Sequence, residues 1–337
     1  MKQYRDVCSV PFYNIRGYNF KSELFGNERL NRTWPESYER NILDKSWSEA
    51  NNSEPFINDI YVNKELVKEA LRKMKSGSAI GPDGVPVECL KNGGELILEA
   101  ISDIVRTSVD QKKIPNILKL AWISPIWKGG SKEDPKDYRP ISLTSHIGKL
   151  VERIIRKQIQ DYLSVNKLIE EEQHGSREGR GTLTQLLQQH DEITQKLMNG
   201  DQCNVVYLDF SKAFDLVDHG VLLKKMVMKG ICGNLLAWIL EFLDERKQRV
   251  RVNNSLSMEA PLRSGVPQGS VMGPLLFLIF ISDLGENIND SVCRILKYVD
   301  DSKVIASANS EDEGQVLQDN LDVIYQWATK NNMNWND

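Results

Sequence analysis

The periodicity of apolar positions sharpens at Val62 and from there predicts a mixture of helices and strands. In "NKELVKEALRKM", Asn63 to Met74, apolar residues fall at Leu66, Val67, Ala70, Leu71 and Met74, a helical spacing with Asn63 placed to cap it. The Gly and Pro residues of "KSGSAIGPDGVP", Lys75 to Pro86, then impose a loop. "GELILEAISDIVRTSVDQKKI" reads as a second helix, and "LAWISPIWKGG", Leu120 to Gly130, as a short buried strand entering a glycine turn. "HIGKLVERIIRKQIQDYL", His146 to Leu163, is an amphipathic helix with Arg153, Arg156 and Lys157 on its polar side.

Strands carry more of the second half. "CNVVYLDF", Cys203 to Phe210, is a near-continuous apolar strand that delivers Asp209 at its end, and "DHGVLLKKMVMKG" follows as a helix capped by Asp218. "KQRVRVNNSLSMEAPL" predicts a hairpin turning at Asn253 and Asn254. "SVMGPLLFLIFISDL", Ser270 to Leu284, predicts a buried helix capped by Ser270 with Pro274 near its first turn. "RILKYVDDSKVIA", Arg294 to Ala306, predicts another hairpin with Asp300 and Asp301 at its tip. "SEDEGQVLQDNLDVIYQWATKNN" opens on the capping-box pair Ser310 and Glu313 and carries Leu317, Leu321, Ile324 and Ala328 on one face. This order predicts an α+β fold, a sheet backed by helices. Residues 1–61, polar and weakly periodic, are set apart as an N-terminal extension.

Composition narrows the function classes. With 40% hydrophobic and 27% charged residues in 337, the chain is an ordinary globular protein. Its five cysteines form no C-x-x-C pair and do not group with the four histidines, which argues against a zinc site and for a reducing compartment. The opening residues contain no apolar signal core, and "VMGPLLFLIFI" is too short to span a bilayer. The expectation is a soluble, intracellular protein with no membrane partner.

A net charge of −4 argues by itself against a polyphosphate ligand. The distribution reverses that argument. Gln111 to Gln160 holds eleven Lys and Arg against four Asp and Glu, whereas Asp283 to Asp337 holds four against eleven. One region suits a phosphate backbone and the other suits cations.

Asp209 at a strand end and Asp300 with Asp301 at a hairpin tip can meet in one sheet. Three like charges that close repel one another unless a cation neutralises them, and Mg²⁺ is the hard, oxygen-seeking ion that fits. Two such ions bridge the attacking and leaving oxygens of an in-line phosphoryl transfer. Taken alone, however, an Asp pair is ordinary turn decoration.

The company of that pair is distinctive. "GPDGVP" (Gly81 to Pro86), "PIWKGGSKEDPKDYRPISLTSHIGKLVERII" (Pro125 to Ile155), "EEQHGSREGRGTLTQLL" (Glu171 to Leu187), "VVYLDFSKAFDLVDH" (Val205 to His219), "GVPQGSVMGPLLFLIFISDL" (Gly265 to Leu284) and "KYVDDS" (Lys297 to Ser302) follow one another in order. Together they resemble the reverse-transcriptase domain of jockey-like non-LTR retrotransposons. The resemblance implies a right-hand polymerase fold with fingers over 62–199 and a palm over 200–337, the palm an antiparallel sheet backed by helices. It implies an RNA-directed DNA polymerase that adds dNTPs to a DNA primer on an RNA template with two Mg²⁺ ions, for which Mn²⁺ can substitute.

The same resemblance distributes the site. Asp209, Asp300 and Asp301 become the catalytic metal ligands, and Phe214 the aromatic gate beneath the incoming sugar, excluding a 2′-hydroxyl. Gln268 and Gly269 match the contact to nucleotide and template, Lys128 and Arg139 the grip on the triphosphate, and Arg177 and Arg180 a hold on the template backbone. Two departures stand out. Ser176 replaces an aromatic that usually precedes the arginine of the second fingers block, and "NNMNWND" begins the family's next block without its lysine. The expectation is therefore a chain without its thumb. A catalytically inactive remnant that retains nucleic-acid binding stays open beside the polymerase, as does an RNA-templated RNA polymerase, against which Phe214 argues.

Overall fold

The computed structural model describes residues 55–253, 255–289, 292–307 and 309–336. Most of the extension over 1–61, and Asn254 of the expected turn, lie outside those residues.

Among the described residues four helices precede the first strand: α1 (Lys64–Arg72), α2 (Val87–Asn92), α3 (Gly94–Gln111) and the short α4 (Asn116–Lys119). Asn63 caps α1 as its sequence implies, its side-chain oxygen accepting the Leu66 N–H. Then come β1 (Leu120–Trp127), β2 (Tyr138–Leu143), α5 (His146–Val165), α6 (Thr182–Met198), β3 (Cys203–Leu208), α7 (Ala213–Leu216), α8 (His219–Met228) and α9 (Gly233–Leu243). The chain continues through β4 (Lys247–Val252), β5 (Ser255–Leu256), β6 (Ala260–Pro261), α10 (Gly273–Ile281), β7 (Cys293–Tyr298), β8 (Asp301–Ser307) and α11 (Glu311–Lys330).

The strands of the described residues form two sheets. In the first, β1 pairs antiparallel with β2 and parallel with β4, and β4 carries β5 and β6. The second is antiparallel throughout, in the order β3-β8-β7. Strand β4 thus crosses the division expected at residue 199, completing a sheet begun by β1 and β2.

Helix α10 is apolar on every side, and Leu275 through Ile281 are all buried, as an all-round hydrophobic helix requires. It lies against α8 and carries Phe277, whose ring stacks on Phe214 at 4.6 Å. Its start differs from expectation. The N-cap is Met272, and Ser270 instead accepts the Gly273 N–H while donating its hydroxyl to Pro267 O. The free N–H groups of Val271 and Met272 are taken from outside the helix, both by Glu152 Oε2 of α5, at 2.6 and 2.9 Å. A carboxylate at a helix N-terminus complements the helix dipole and satisfies two orphan donors.

The last helix behaves nearly as its sequence implies. Ser310 Oγ accepts the Glu313 N–H, but Glu313 returns its carboxylate to Asn309 N–H, one residue beyond the usual box. Leu317, Ile324 and Ala328 are buried, with Leu321 partly so. No helix among the described residues is long and apolar enough to cross a membrane.

Phe277, fully buried at 0% exposure, is the aromatic on which this arrangement closes. Phe277→Ala is expected to cost about 3–5 kcal/mol of unfolding free energy, read from urea titrations by circular dichroism. A loss under about 1 kcal/mol would mean that the site collapses without leaving a cavity.

Candidate active site

Strand β3 runs antiparallel to β8 with Leu208 opposite Ser302, so Asp209, one residue past the end of β3, lies at the same end of the sheet as Asp301. Strands β7 and β8 join through a two-residue turn, Val299 and Asp300, with Tyr298 opposite Asp301. The sheet therefore brings Asp209, Asp300 and Asp301 to one end, although some ninety residues separate the first from the others. Burial pushes the Asp300 carboxyl above its ordinary range, and the negative charges of Asp301 and Asp209 push it further. Asp209 and Asp301 are exposed, while Asp300 is half-buried. Among the described residues no three His, Cys, Asp or Glu side chains close into a metal cage. The donors are all hard carboxylate oxygens whose mutual repulsion a divalent cation would relieve, so their chemistry fits Mg²⁺ or Mn²⁺.

The turn itself is strained. Val299 has φ 59°, a left-handed conformation that a β-branched residue adopts at a cost of roughly 1–3 kcal/mol. Asp209 is held from the other side: Asn336 donates its N–H to Asp209 O at 3.0 Å and its side-chain N–H to Asp209 Oδ2 at 2.6 Å. Trp335 stacks on Phe210 with ring centroids 4.3 Å apart, pinning this segment along the end of β3.

The "VPQGS" loop is stitched to the segment that follows β3. Val266 N–H bonds Phe214 O at 2.8 Å, Gly265 N–H bonds Val217 O at 2.9 Å, and the His219 ring meets Gly265 O at 2.8 Å. Gln268 O accepts the Ser142 N–H at 2.9 Å, bringing β2 to the loop. At Gly269, φ is 109° and a Cβ would fall 2.7 Å from Ser142 O, so only glycine fits there. The Gln268 side chain is part-exposed. Phe214 is half-buried, its ring seated on Phe277.

Lys128 and Arg139 sit on the β1–β2 hairpin, where Arg139 pairs with Ile126 and Lys128 N–H bonds Asp137 O. Alternation along the strands puts both exposed side chains on the same face of that hairpin. Arg177 and Arg180 are differently engaged. Arg177 donates to Glu170 O and Gln173 O, and Arg180 to Glu171 O and the Glu171 carboxylate, so both guanidiniums brace their own loop. Ser176 in that loop has φ 55° and is part-exposed. The loop is fixed by polar contacts where an aromatic was expected: the buried His174 ring lies between Thr184 Oγ1 at 2.9 Å and Gln188 Oε1 at 2.7 Å.

Residues 128–337 match the reverse transcriptase (RNA-dependent DNA polymerase) family, which covers the carboxylates, the glycine loop and both arginine-bearing segments. The chain belongs to that family. Among similar proteins, a probable RNA-directed DNA polymerase from transposon BS of Drosophila melanogaster is 32% identical over 276 residues, 80% of this chain and 30% of the relative. The RNA-directed DNA polymerase from mobile element jockey of the same fly is 31% identical over 328 residues, 94% of this chain and 35% of the relative. The jockey polymerase of Drosophila funebris is 30% identical over 285 residues, 82% of this chain. The chain thus spans about a third of the length of these relatives.

Several residues that shape this candidate site carry no local signal in the sequence. Glu152 lies on α5 among apolar neighbours, is 2% exposed, and is raised in pKa by burial despite the nearby Arg246 guanidinium. Gln173 is buried, and its side-chain oxygen accepts the Val299 N–H at 2.9 Å. Asp215, beside Phe214 on α7, is another: burial lifts its carboxyl from 3.8 to about 6.

Because the Asp215 proton is held more tightly in the folded chain, stability falls as pH rises from about 4 to about 6 and stays reduced above. Asp215→Asn is expected to raise stability at pH 7–8 by on the order of 2 kcal/mol, with no gain below pH 4. Urea unfolding across pH 4–8 measures this. A gain of equal size at every pH would trace to packing and not to the charge.

Proposed function

We propose that this chain is the catalytic part of an RNA-directed DNA polymerase, adding deoxynucleotides to a DNA primer on an RNA template by two-metal nucleotidyl transfer. The observation that carries the reading is the convergence of Asp209, Asp300 and Asp301 at one end of an antiparallel sheet. In this reading residues 200–337 act as the palm of a right-hand fold and residues 62–199 as its fingers, with β4 shared between them. Asp209, Asp300 and Asp301 would hold two Mg²⁺ ions, or Mn²⁺ in their place. Bound there, the ions supply activation of the primer 3′-hydroxyl and neutralise charge on the leaving pyrophosphate.

The remaining residues bind and orient. Lys128 and Arg139, exposed on one face of the β1–β2 hairpin, meet the triphosphate: a point charge and a bidentate fork. Phe214, backed by Phe277, presents the rest of its ring beneath the sugar, where a 2′-hydroxyl would collide. Gly269 lets the backbone approach closely, and the part-exposed Gln268 amide meets sugar or base edges. Arg177 and Arg180 act on the template through the loop they brace.

Primer extension by the purified chain on an RNA template with a DNA primer, dNTPs and Mg²⁺, run beside Asp300→Asn, tests this. Extension is expected, with a loss of about 10³-fold or more in the variant, as removal of one preorganised charge at a phosphoryl-transfer centre implies. A wild-type chain that is folded by circular dichroism and binds the RNA–DNA hybrid without extending it would favour a non-catalytic, nucleic-acid-binding role. Phe214→Val is expected to raise incorporation of ribonucleotides relative to deoxyribonucleotides by on the order of 10-fold. Unchanged discrimination in single-nucleotide kinetics would remove Phe214 from the sugar contact.

A further inference from the structure

The turn that carries Asp300 is held from outside its own hairpin. Strand β7 lies at the edge of its sheet, and the segment Glu172–Gly175 pairs with that edge as a short parallel bridge. Lys297 N–H bonds Glu172 O at 2.9 Å, and His174 N–H bonds Lys297 O at 2.9 Å. Between these bonds the Gln173 side chain, 1% exposed, reaches the turn. Its Oε1 accepts two backbone donors, Val299 N–H at 2.9 Å and Gly175 N–H at 2.8 Å. Its Nε2 has no hydrogen-bond partner among the described residues, where the amide serves as an acceptor only. The approach leaves no slack: a Cβ on Gly175 would fall on Val299 N and Cγ2.

The conformation so held is one that valine disfavours, φ 59°. Left to itself, a β-branched residue in a two-residue turn would relax toward negative φ and swing the following carboxylates. The bridging segment cannot follow such a movement, because His174 is tied to α6 through Thr184 and Gln188, and Arg177 to Glu170 O and Gln173 O.

We propose that Gln173 is a positioning residue for the polymerase site: its side-chain oxygen locks Val299 in the left-handed conformation and so aims Asp300 and Asp301. The inference rests on the reading of those two carboxylates as catalytic, but the lock itself can be tested without activity.

Three variants separate the lock from ordinary packing. Gln173→Met keeps the volume and removes the acceptor, Gln173→Glu keeps the acceptor, and Val299→Gly removes the conformational penalty. In Gln173→Met, amide exchange in the peptide spanning Lys297 to Lys303 is expected to quicken about 10-fold or more while α10 is unchanged. In primer extension kcat should fall by a similar factor, with the dNTP KM within about 3-fold. Gln173→Glu keeps the acceptor at the cost of a buried carboxyl and should lose clearly less than Gln173→Met in both readouts. In a Val299→Gly background, Gln173→Met should lose most of its effect on kcat, because the lock then has nothing to oppose.

Wild-type exchange at the turn in Gln173→Met, equal loss in the Met and Glu variants, or full additivity with Val299→Gly would each overturn the proposal. If the parent chain does not extend primers, the catalytic reading falls, and the exchange measurements alone decide whether the lock exists.

Discussion

The antiparallel pairing of β3 with β8 is the constraint on which the site depends. Its register, Leu208 opposite Ser302, makes three carboxylates neighbours, and a slip of one residue would turn each side chain to the opposite face of the sheet. The register is specified by burial: Ser302 to Ser307 are all buried on β8, and β3 is covered in part by α6. The apolar body of the sheet therefore secures an arrangement that electrostatics alone opposes. Asp300 bears the strain of that opposition, its carboxyl raised by burial and by two like charges.

The surroundings of the sheet are organised to the same end. Glu152, on a helix of the first half, is desolvated to reach the N-terminus of α10, immediately after the "PQGS" loop. A buried carboxylate costs several kcal/mol in lost hydration, offset here by two charge-assisted backbone bonds and the nearby Arg246. Gln268 O and Gly269 meet β2 at Ser142. The glycine loop is thereby fixed relative to both sheets, and the hairpin bearing Lys128 and Arg139 is fixed relative to the carboxylates. Rigid elements thus hold charged groups from distant parts of the chain.

Much of the fold was legible locally. The caps Asn63 and Asp218 act as their positions imply, the apolar stripe of α11 is buried, and the β7–β8 hairpin turns at Asp300. Elements without a clean period escaped: α6 leaves Leu183, Leu186 and Leu187 exposed, so its apolar residues do not mark a core face. Ser270 looked like a cap because serine before an apolar run usually is one, but the turn Pro267–Gly273 claimed its hydroxyl first. Arg177 and Arg180 could be assigned to the template backbone from the sequence, but not their contacts at home: in the folded loop each guanidinium also donates to a carbonyl of its own segment.

What the sequence determined by itself was the kind of parts present: which segments bury an apolar face, where carboxylates and basic residues stand along the chain, and the ordered blocks that mark the family. Those properties are short-range, set by periodicity, caps and turn chemistry within a few residues. Only the tertiary structure decided which parts meet. The pairing of Leu208 with Ser302, the reach of Glu152 to Met272 and the grip of Gln173 on Val299 each join residues about ninety or more positions apart. Such contacts depend on strand register and helix packing, which arise from burying the whole apolar surface at once and leave no mark at the positions they bring together.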